Sequence, residues 1–258
     1  MKSSARALGF SIGGFLLSAA SLRAVTWNAD FSSYHDFNQG VGSTGWQGAY
    51  GGNNPSSAFF QSGGTLTISD QNGYWENNSN SGHLLYVQVS GDFVAECVLT
   101  SLTTALYSTA GLGAFDPSIT TGTPVVTWIG AYEKGFHLGG NVGTRTVVEG
   151  SQVDNQGYLT GMNSQVVWLR LGREGSVFQS SFSMDGVAWT PMVSQSIPGM
   201  PEVLSVGLWN GSFRNGNTST ATFSSFSLTL VPEPSTYGLI LGGLALAGAT
   251  IRRRKTSR

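Results

Sequence analysis

Charge is scarce in this chain. Only 10% of its 258 residues are Asp, Glu, Lys or Arg, and the helix-favouring Lys and Glu are few. No segment sustains a helical apolar period, and no internal repeat is found. These absences exclude a helical bundle, a coiled coil and a doubly wound α/β enzyme. Cysteine is all but missing as well, and the single Cys97 rules out an intramolecular disulfide. Cys97 shares an alternating face with Phe93, Ala95 and Leu99, so the expectation is a small buried apolar side chain, with an intermolecular disulfide as the alternative. What is plentiful is glycine, 36 residues, together with Ser and Thr, against 40% hydrophobic and 11% aromatic content. That is enough apolar material for a core, and it points to an all-β protein rich in turns.

The few charges are segregated. Lys2, Arg6 and Arg23 lie near the start, and Arg252, Arg253, Arg254, Lys255 and Arg258 near the end. Residues 25–230 keep five basic against thirteen acidic side chains, a formal charge of about −8. A surface that acidic repels phosphate backbones, and no Lys/Arg run is interleaved with aromatics, so nucleic acid is not an expected partner.

The two ends read as addresses. Lys2 and Arg6, an apolar stretch from Ala7 to Ala20 and small residues beyond it form a secretory signal peptide over residues 1–24, with cleavage after Ala20 or after Ala24. The stretch is short for the alternative, an uncleaved spanning anchor. At the other end Pro232-Glu233-Pro234 precedes fifteen uncharged residues, 237–251, and then Arg252-Arg253-Arg254-Lys255. Fifteen helical residues span about 22 Å, which flanking residues and snorkelling arginines extend toward a membrane core of about 30 Å. The basic cluster stops translocation, leaving residues 25–230 outside. The prolines keep the junction extended, a shape open to a processing enzyme. This tail, residues 231–258, resembles the PEP-CTERM sorting signal. The resemblance implies export through the Sec machinery, transient anchoring in the inner membrane and recognition by exosortase, a membrane-embedded cysteine protease/transpeptidase, before release to the cell surface or an extracellular matrix rich in exopolysaccharide.

Residues 25–230 show period-2 segments separated by Gly and Asn turns, roughly ten to twelve strands in one sandwich. Asp185-Gly186, Asn72-Gly73, Asn210-Gly211 and Asn215-Gly216 are dipeptides that accept a left-handed backbone. In the stretch from Val166 to Trp189, Val167, Leu169 and Leu171 alternate with Trp168 and Arg170, Arg173 to Ser176 turn the chain, and Val177 to Met184 return it. That hairpin resembles those of concanavalin A-like lectin/glucanase sandwiches, a group that includes laminin-G-like domains. Ala221, Phe223, Phe226 and Leu228 resemble the closing strand, and Asp30-Phe31 the opening strand that pairs with it. The resemblance implies a jelly-roll β-sandwich.

Because that fold hosts glucanases, paired carboxylates are the first chemistry to seek. No strand carries a Glu-x-Asp-x-Glu spacing; Glu96, Glu133, Glu149, Glu174 and Asp185 stand on separate segments. No nucleophile elbow or zinc motif occurs, and His35, His83 and His137 are isolated in sequence. Gly139 to Gly143 resembles a phosphate loop in composition only, lacks a following helix, and reads as a turn. No catalytic residue and no metal site is assigned, although calcium at Asp70, Asp116 or Asp154 is a possibility. Sugar binding is the stronger expectation, since aromatic faces stack on pyranose rings. The candidates are Trp46, Tyr50, Tyr74, Trp75 and Trp209, all in Asn/Gly-rich contexts, whereas Trp168 and Trp189 are read as packing residues. The expected role is a non-catalytic carbohydrate-binding or structural module; a structural envelope or biofilm protein without a discrete ligand site, or a polysaccharide hydrolase, are the alternatives.

Overall fold

A computed structural model describes residues 24–51, 58–71, 73, 75–76, 79–103, 108–118, 126–132, 140–148, 151–162, 166–212 and 218–231. The sorting segment with its expected helix at 237–251, and the signal segment up to residue 23, lie outside the described residues. No helix among the described residues is long and apolar enough to cross a membrane.

The chain begins with β1 (Val25–Asn28), β2 (His35–Asp36), a 3-10 turn at Phe37–Gln39, β3 (Gly48–Tyr50), β4 (Phe59–Ser62) and β5 (Thr65–Gln71). Two short strands, β6 (Trp75–Glu76) and β7 (Ser79–Asn80), pair only with each other. Then follow β8 (His83–Ser90), β9 (Phe93–Leu102), β10 (Ser108–Phe115), β11 (Val126–Tyr132), β12 (Gly140–Val148) and β13 (Ser151–Met162). The chain closes with β14 (Val167–Glu174), β15 (Val177–Ser183), β16 (Thr190–Ser196), β17 (Val203–Ser212) and β18 (Thr218–Leu230).

These strands form two antiparallel layers. One sheet runs β16-β15-β14-β9-β18-β5-β4-β2, with β1 beside the far half of β18. The other runs β13-β12-β11-β10-β17-β8-β3. Successive side chains point to opposite faces of a strand, so each sheet needs only alternate apolar residues to cover the other. In β9, Phe93, Ala95, Cys97 and Leu99 are buried while Val94, Glu96, Val98 and Thr100 are half-exposed. Leu169 and Leu171 of β14, Phe223 and Phe226 of β18, and Leu85, Leu112, Ile129 and Leu208 of the facing sheet join them in one core.

The hairpin expected from Val166 to Met184 is present as β14 and β15, and Gly175, at φ 58°, supplies the left-handed residue of its turn. Asp185-Gly186 also turns the chain, with Gly186 at φ 74°. Four other expectations are corrected. The opening strand is Val25–Asn28, paired Val25 to Leu230, so Asp30 and Phe31 lie beyond it, and Phe31 is a core residue. Asn210-Gly211 continues β17, because Asn210 is paired with His83 of β8 and Ala110 of β10, and Gly211 with Thr109 of β10. Gly140 to Gly143 belongs to β12 and is no turn. The twelve-residue β13, rich in Gly, Asn and Gln, is a strand that apolar alternation does not reveal. Asn215-Gly216 lies outside the described residues.

Cys97 is buried, and burial, then the neighbouring Glu96 charge, pushes its thiol well above the usual range. The folded chain should therefore be inert to Ellman's reagent, with one thiol per chain appearing in denaturant; rapid labelling of the folded protein would contradict this packing. At the exposed turn after β15, Asp185 Oδ1 accepts the amides of Ala188 and Val187 and the Ser183 hydroxyl, which hold its carboxyl below the ordinary range. A depressed carboxyl stabilises the fold above its unfolded value, and that contribution is lost as pH falls through the folded one. Asp185→Ala should lower the melting temperature at neutral pH, with the difference from wild type shrinking toward about pH 3.

Candidate functional site

The seven-stranded sheet is apolar on both faces. Turned away from the core are Leu84 of β8, Trp209 of β17, Phe115 of β10, and Val126 and Trp128 of β11, a second buried cluster with Tyr50 and Tyr86 packed against it. The period-2 rule puts them there, since their sequence neighbours Leu85, Leu208, Ala114 and Ile129 point into the main core.

Glycine makes this second face possible. Trp209 sits opposite Gly111, which faces Gly130, then Gly143, then Gly157 in successive strands. The row lacks side chains across four strands, so the indole lies down over β11: a Cβ on Gly130 would come within 3.0 Å of Trp209 Cζ2. Phe115 covers Gly113 in the same way, at 2.5 Å from its would-be Cβ, and the Tyr86 ring occupies the space a side chain at Gly48 would need. Trp128 and Trp209 meet with ring centroids 4.7 Å apart and planes inclined by 53°. The result is an aromatic layer on a glycine floor, in which flat rings replace standing side chains.

The expected sugar-stacking residues fare unequally. Trp209 lies on this face but is only 1% exposed, and it stands in a strand, not a loop. Trp46 is 3% exposed and packs edge-on to Trp27 at 5.0 Å and against Phe226 at 4.9 Å. Gly45, at φ 88°, turns the chain beside it. A buried indole has no free face for a ring, so in this conformation Trp46 and Trp209 act in packing, because a ring of that size gains more from the core than from water. Tyr50 keeps partial exposure, and burial pushes its phenol above the ordinary value, so it stays a neutral hydrogen-bonding group. Tyr86, partly exposed on the neighbouring strand and two residues past Leu84, was missed because the alternation of Leu85, Val87 and Val89 marks it only as an outward-facing strand residue, not as a loop aromatic. Trp75 lies in β6, and Tyr74 outside the described residues.

Trp168 and Trp189 are half-buried on the outer side of the nine-stranded sheet. The Arg170 guanidinium lies 3.7 Å from the Trp189 ring centroid, while its Nε donates to Glu96 Oε1 at 2.6 Å. That occupies Glu96 structurally, as the turn occupies Asp185. The three aspartates considered for calcium do not converge. Asp70 is buried opposite Ser219 in β5, Asp154 lies opposite Thr146 on β12, and Asp116 caps its own turn by accepting from Ser118. No group of three or more His, Cys, Asp or Glu that could hold a metal is found among the described residues.

Comparison with known proteins places this geometry. Residues 230–255 match the PEP-CTERM protein-sorting motif, a span that holds Pro232, Glu233 and Pro234 and reaches Arg252, Arg253, Arg254 and Lys255. The motif marks an exported protein sorted by exosortase. The sequence matches no curated protein. A functionally unknown protein from Saccharomyces cerevisiae is similar with a TM-score of 0.59 at 22% identity, over 77% of this chain and 100% of that one. A xylan β-1,4-xylosidase from Bacillus halodurans gives 0.54 at 15%, over 79% of this chain but only 39% of the enzyme. Basic winged bean lectin, solved with Tn-antigen, gives 0.52 at 9%, over 80% of this chain and 98% of the lectin. Identities this low speak of fold alone, and the fold is an all-β, concanavalin A-like jelly-roll sandwich. The chain is thus a jelly-roll β-sandwich bearing a PEP-CTERM sorting motif.

The glycine floor makes a direct prediction. Gly130→Ala sets a methyl 3.0 Å from Trp209 Cζ2 and 2.6 Å from the Ala110 carbonyl oxygen, and should cost about 1–3 kcal/mol of stability in denaturant titration. A neutral substitution would mean that the ring does not rest there.

Proposed function

We propose that this chain is delivered through the Sec machinery to exosortase, held in the inner membrane by residues 237–251 until processed, and displayed at the cell surface or in the extracellular matrix as a non-catalytic carbohydrate-binding module. The supporting observation is the conjunction of the sorting motif with an aromatic sheet face whose accessible members are Tyr50 and Tyr86. Two partly exposed phenol rings, diagonal to each other on adjacent strands, offer a stacking surface for sugar rings. Tyr74 and Trp75 remain candidates by sequence alone. An exopolysaccharide is the fitting partner for a protein sorted in this way. Calcium is not required by this reading.

The burial of Trp46 and Trp209 favours a second reading, a structural envelope or matrix module with no discrete ligand site. A hydrolase has less support, since Glu96 and Asp185 are both held in structural contacts.

Retention of the whole chain, in mild detergent, on a panel of immobilised polysaccharides separates these readings. Saturable binding should fall at least about tenfold in Tyr50→Ala or Tyr86→Ala, the loss of one stacked ring, in protein whose circular dichroism shows the fold retained. Trp46→Ala should instead destabilise the fold by about 3–5 kcal/mol. A folded protein retained on no polymer leaves the structural reading standing, while reducing ends released from a bound polymer would point to the hydrolase.

A further inference from the structure

At one end of the sandwich the apolar core stops abruptly and a polar layer takes its place. Ile68, Ala221, Leu85 and Leu208 are core residues, and two positions along each strand, on the same inward face, stand Asp70, Ser219, His83 and Asn210. The register binds them into one group: Asp70 is opposite Ser219, and His83 is opposite Asn210. Asp70 and His83 meet across the two sheets. All four are at most 1% exposed, as is Ser212 one step further along β17.

Little in the protein satisfies this layer. Asp70 Oδ1, both ring nitrogens of His83, both amide atoms of Asn210, and the hydroxyls of Ser212 and Ser219 are buried without a hydrogen-bond partner. Buried polar groups are rarely left so, and seven in one layer call for an occupant. No Lys or Arg among the described residues neutralises the Asp70 carboxylate. Asp70 Oδ2 accepts the His83 amide at 3.1 Å, and His83 Nδ1 lies 3.0 Å from the same oxygen, yet out of line for a hydrogen bond. That separation suits two adjacent ligands of one small cation, because bonds of about 2.1 Å at about 90° set the ligand atoms about 3 Å apart. Gly73 roofs the group: a Cβ there would fall on the Asp70 carboxylate and on the Ser81 carbonyl, and the glycine carbonyl is anchored by the Ser212 amide.

We propose that Asp70, His83 and Asn210 bind a divalent first-row transition ion of the Mn2+ to Zn2+ group, with the Ser212 and Ser219 hydroxyls or water completing its shell. An imidazole among oxygen donors selects against Ca2+, which takes oxygen ligands, and toward ions that accept nitrogen. The carboxylate then has its counter-charge, and the orphaned oxygens of Asn210 and the serines have a Lewis acid to face. The ion would tie β5 of one sheet to β8 and β17 of the other, directly beneath Leu84 and Trp209 of the aromatic face. The site does not depend on sugar binding.

The test is titration calorimetry and thermal melting of the untagged whole chain in detergent, after EDTA treatment and dialysis, with Zn2+, Mn2+ and Ca2+ added separately. Zn2+ or Mn2+ should bind saturably at one ion per chain, at least about tenfold tighter than Ca2+, and raise the melting temperature by several degrees. Asp70→Asn and His83→Gln should each weaken binding at least about a hundredfold, as expected for loss of a primary ligand, whereas Asp116→Asn should not change it. Asn210→Asp, which adds a charged oxygen at the same place, should melt lower than wild type without metal and recover with it, and this holds even if the first two variants fail to fold. Absence of saturable binding by wild type, preference for Ca2+, or binding undiminished in folded Asp70→Asn and His83→Gln would overturn the assignment and leave the layer to buried water.

Discussion

A β-sheet buried on both faces has no solvent side on which to place bulky polar side chains, and the seven-stranded sheet meets that condition over much of its area. Its inner face supplies Leu85, Leu112, Ile129 and Leu208 to the core, and its outer face carries Trp128, Trp209 and Phe115. Glycines at 113 and 130 let the rings of Phe115 and Trp209 lie flat on the sheet, where standing side chains would lift them away. The same substitution pattern governs fold and candidate site together. Glycine is costly in a strand for lack of packing and for its chain entropy, and here that cost is offset by the burial of large rings upon it.

Parts of this were open to reading from the residues. The β14–β15 hairpin, with Leu169 and Leu171 inside and Trp168 and Arg170 outside, follows from strict alternation, and the nine-stranded sheet is legible because its other face is wet. The seven-stranded sheet is harder for the opposite reason. Where both faces are buried, alternation vanishes, as in His83 to Leu85 at the start of β8, and a Gly/Asn/Gln-rich edge such as Ser151–Met162 looks like a loop. Trp46 and Trp209 sit among glycines that, in a sequence, suggest a turn, and it took the register to show that one glycine run is a floor and the other a bend into the core. Asp70 and His83 are thirteen residues apart, with the β6–β7 ribbon between them; no spacing rule joins them, because their approach belongs to the packing of one sheet on the other.

The sorting motif and the sandwich answer different questions. The motif, short and nearly complete in its residue types, is readable with no knowledge of the fold. The sandwich is a scaffold shared by a xylosidase and a winged bean lectin, and so leaves its use to particular surfaces. On this chain those surfaces are one with two accessible tyrosines and another, on the far layer, where Arg170 bridges Glu96 and Trp189.

The pairing of Val25 with Leu230 has a mechanical meaning for any force applied through the C-terminal segment. Strand β18 is interior to its sheet, laced to β9 along one edge and to β5 and β1 along the other. A pull arriving through the chain beyond Val231 acts along that strand, so it must slide β18 past its neighbours, straining many ladder bonds at once instead of unzipping them singly. Entry and exit of the domain also lie side by side, so removal of a leader before Val25 leaves the load path untouched. Loaded along its last strand, such a domain holds its shape.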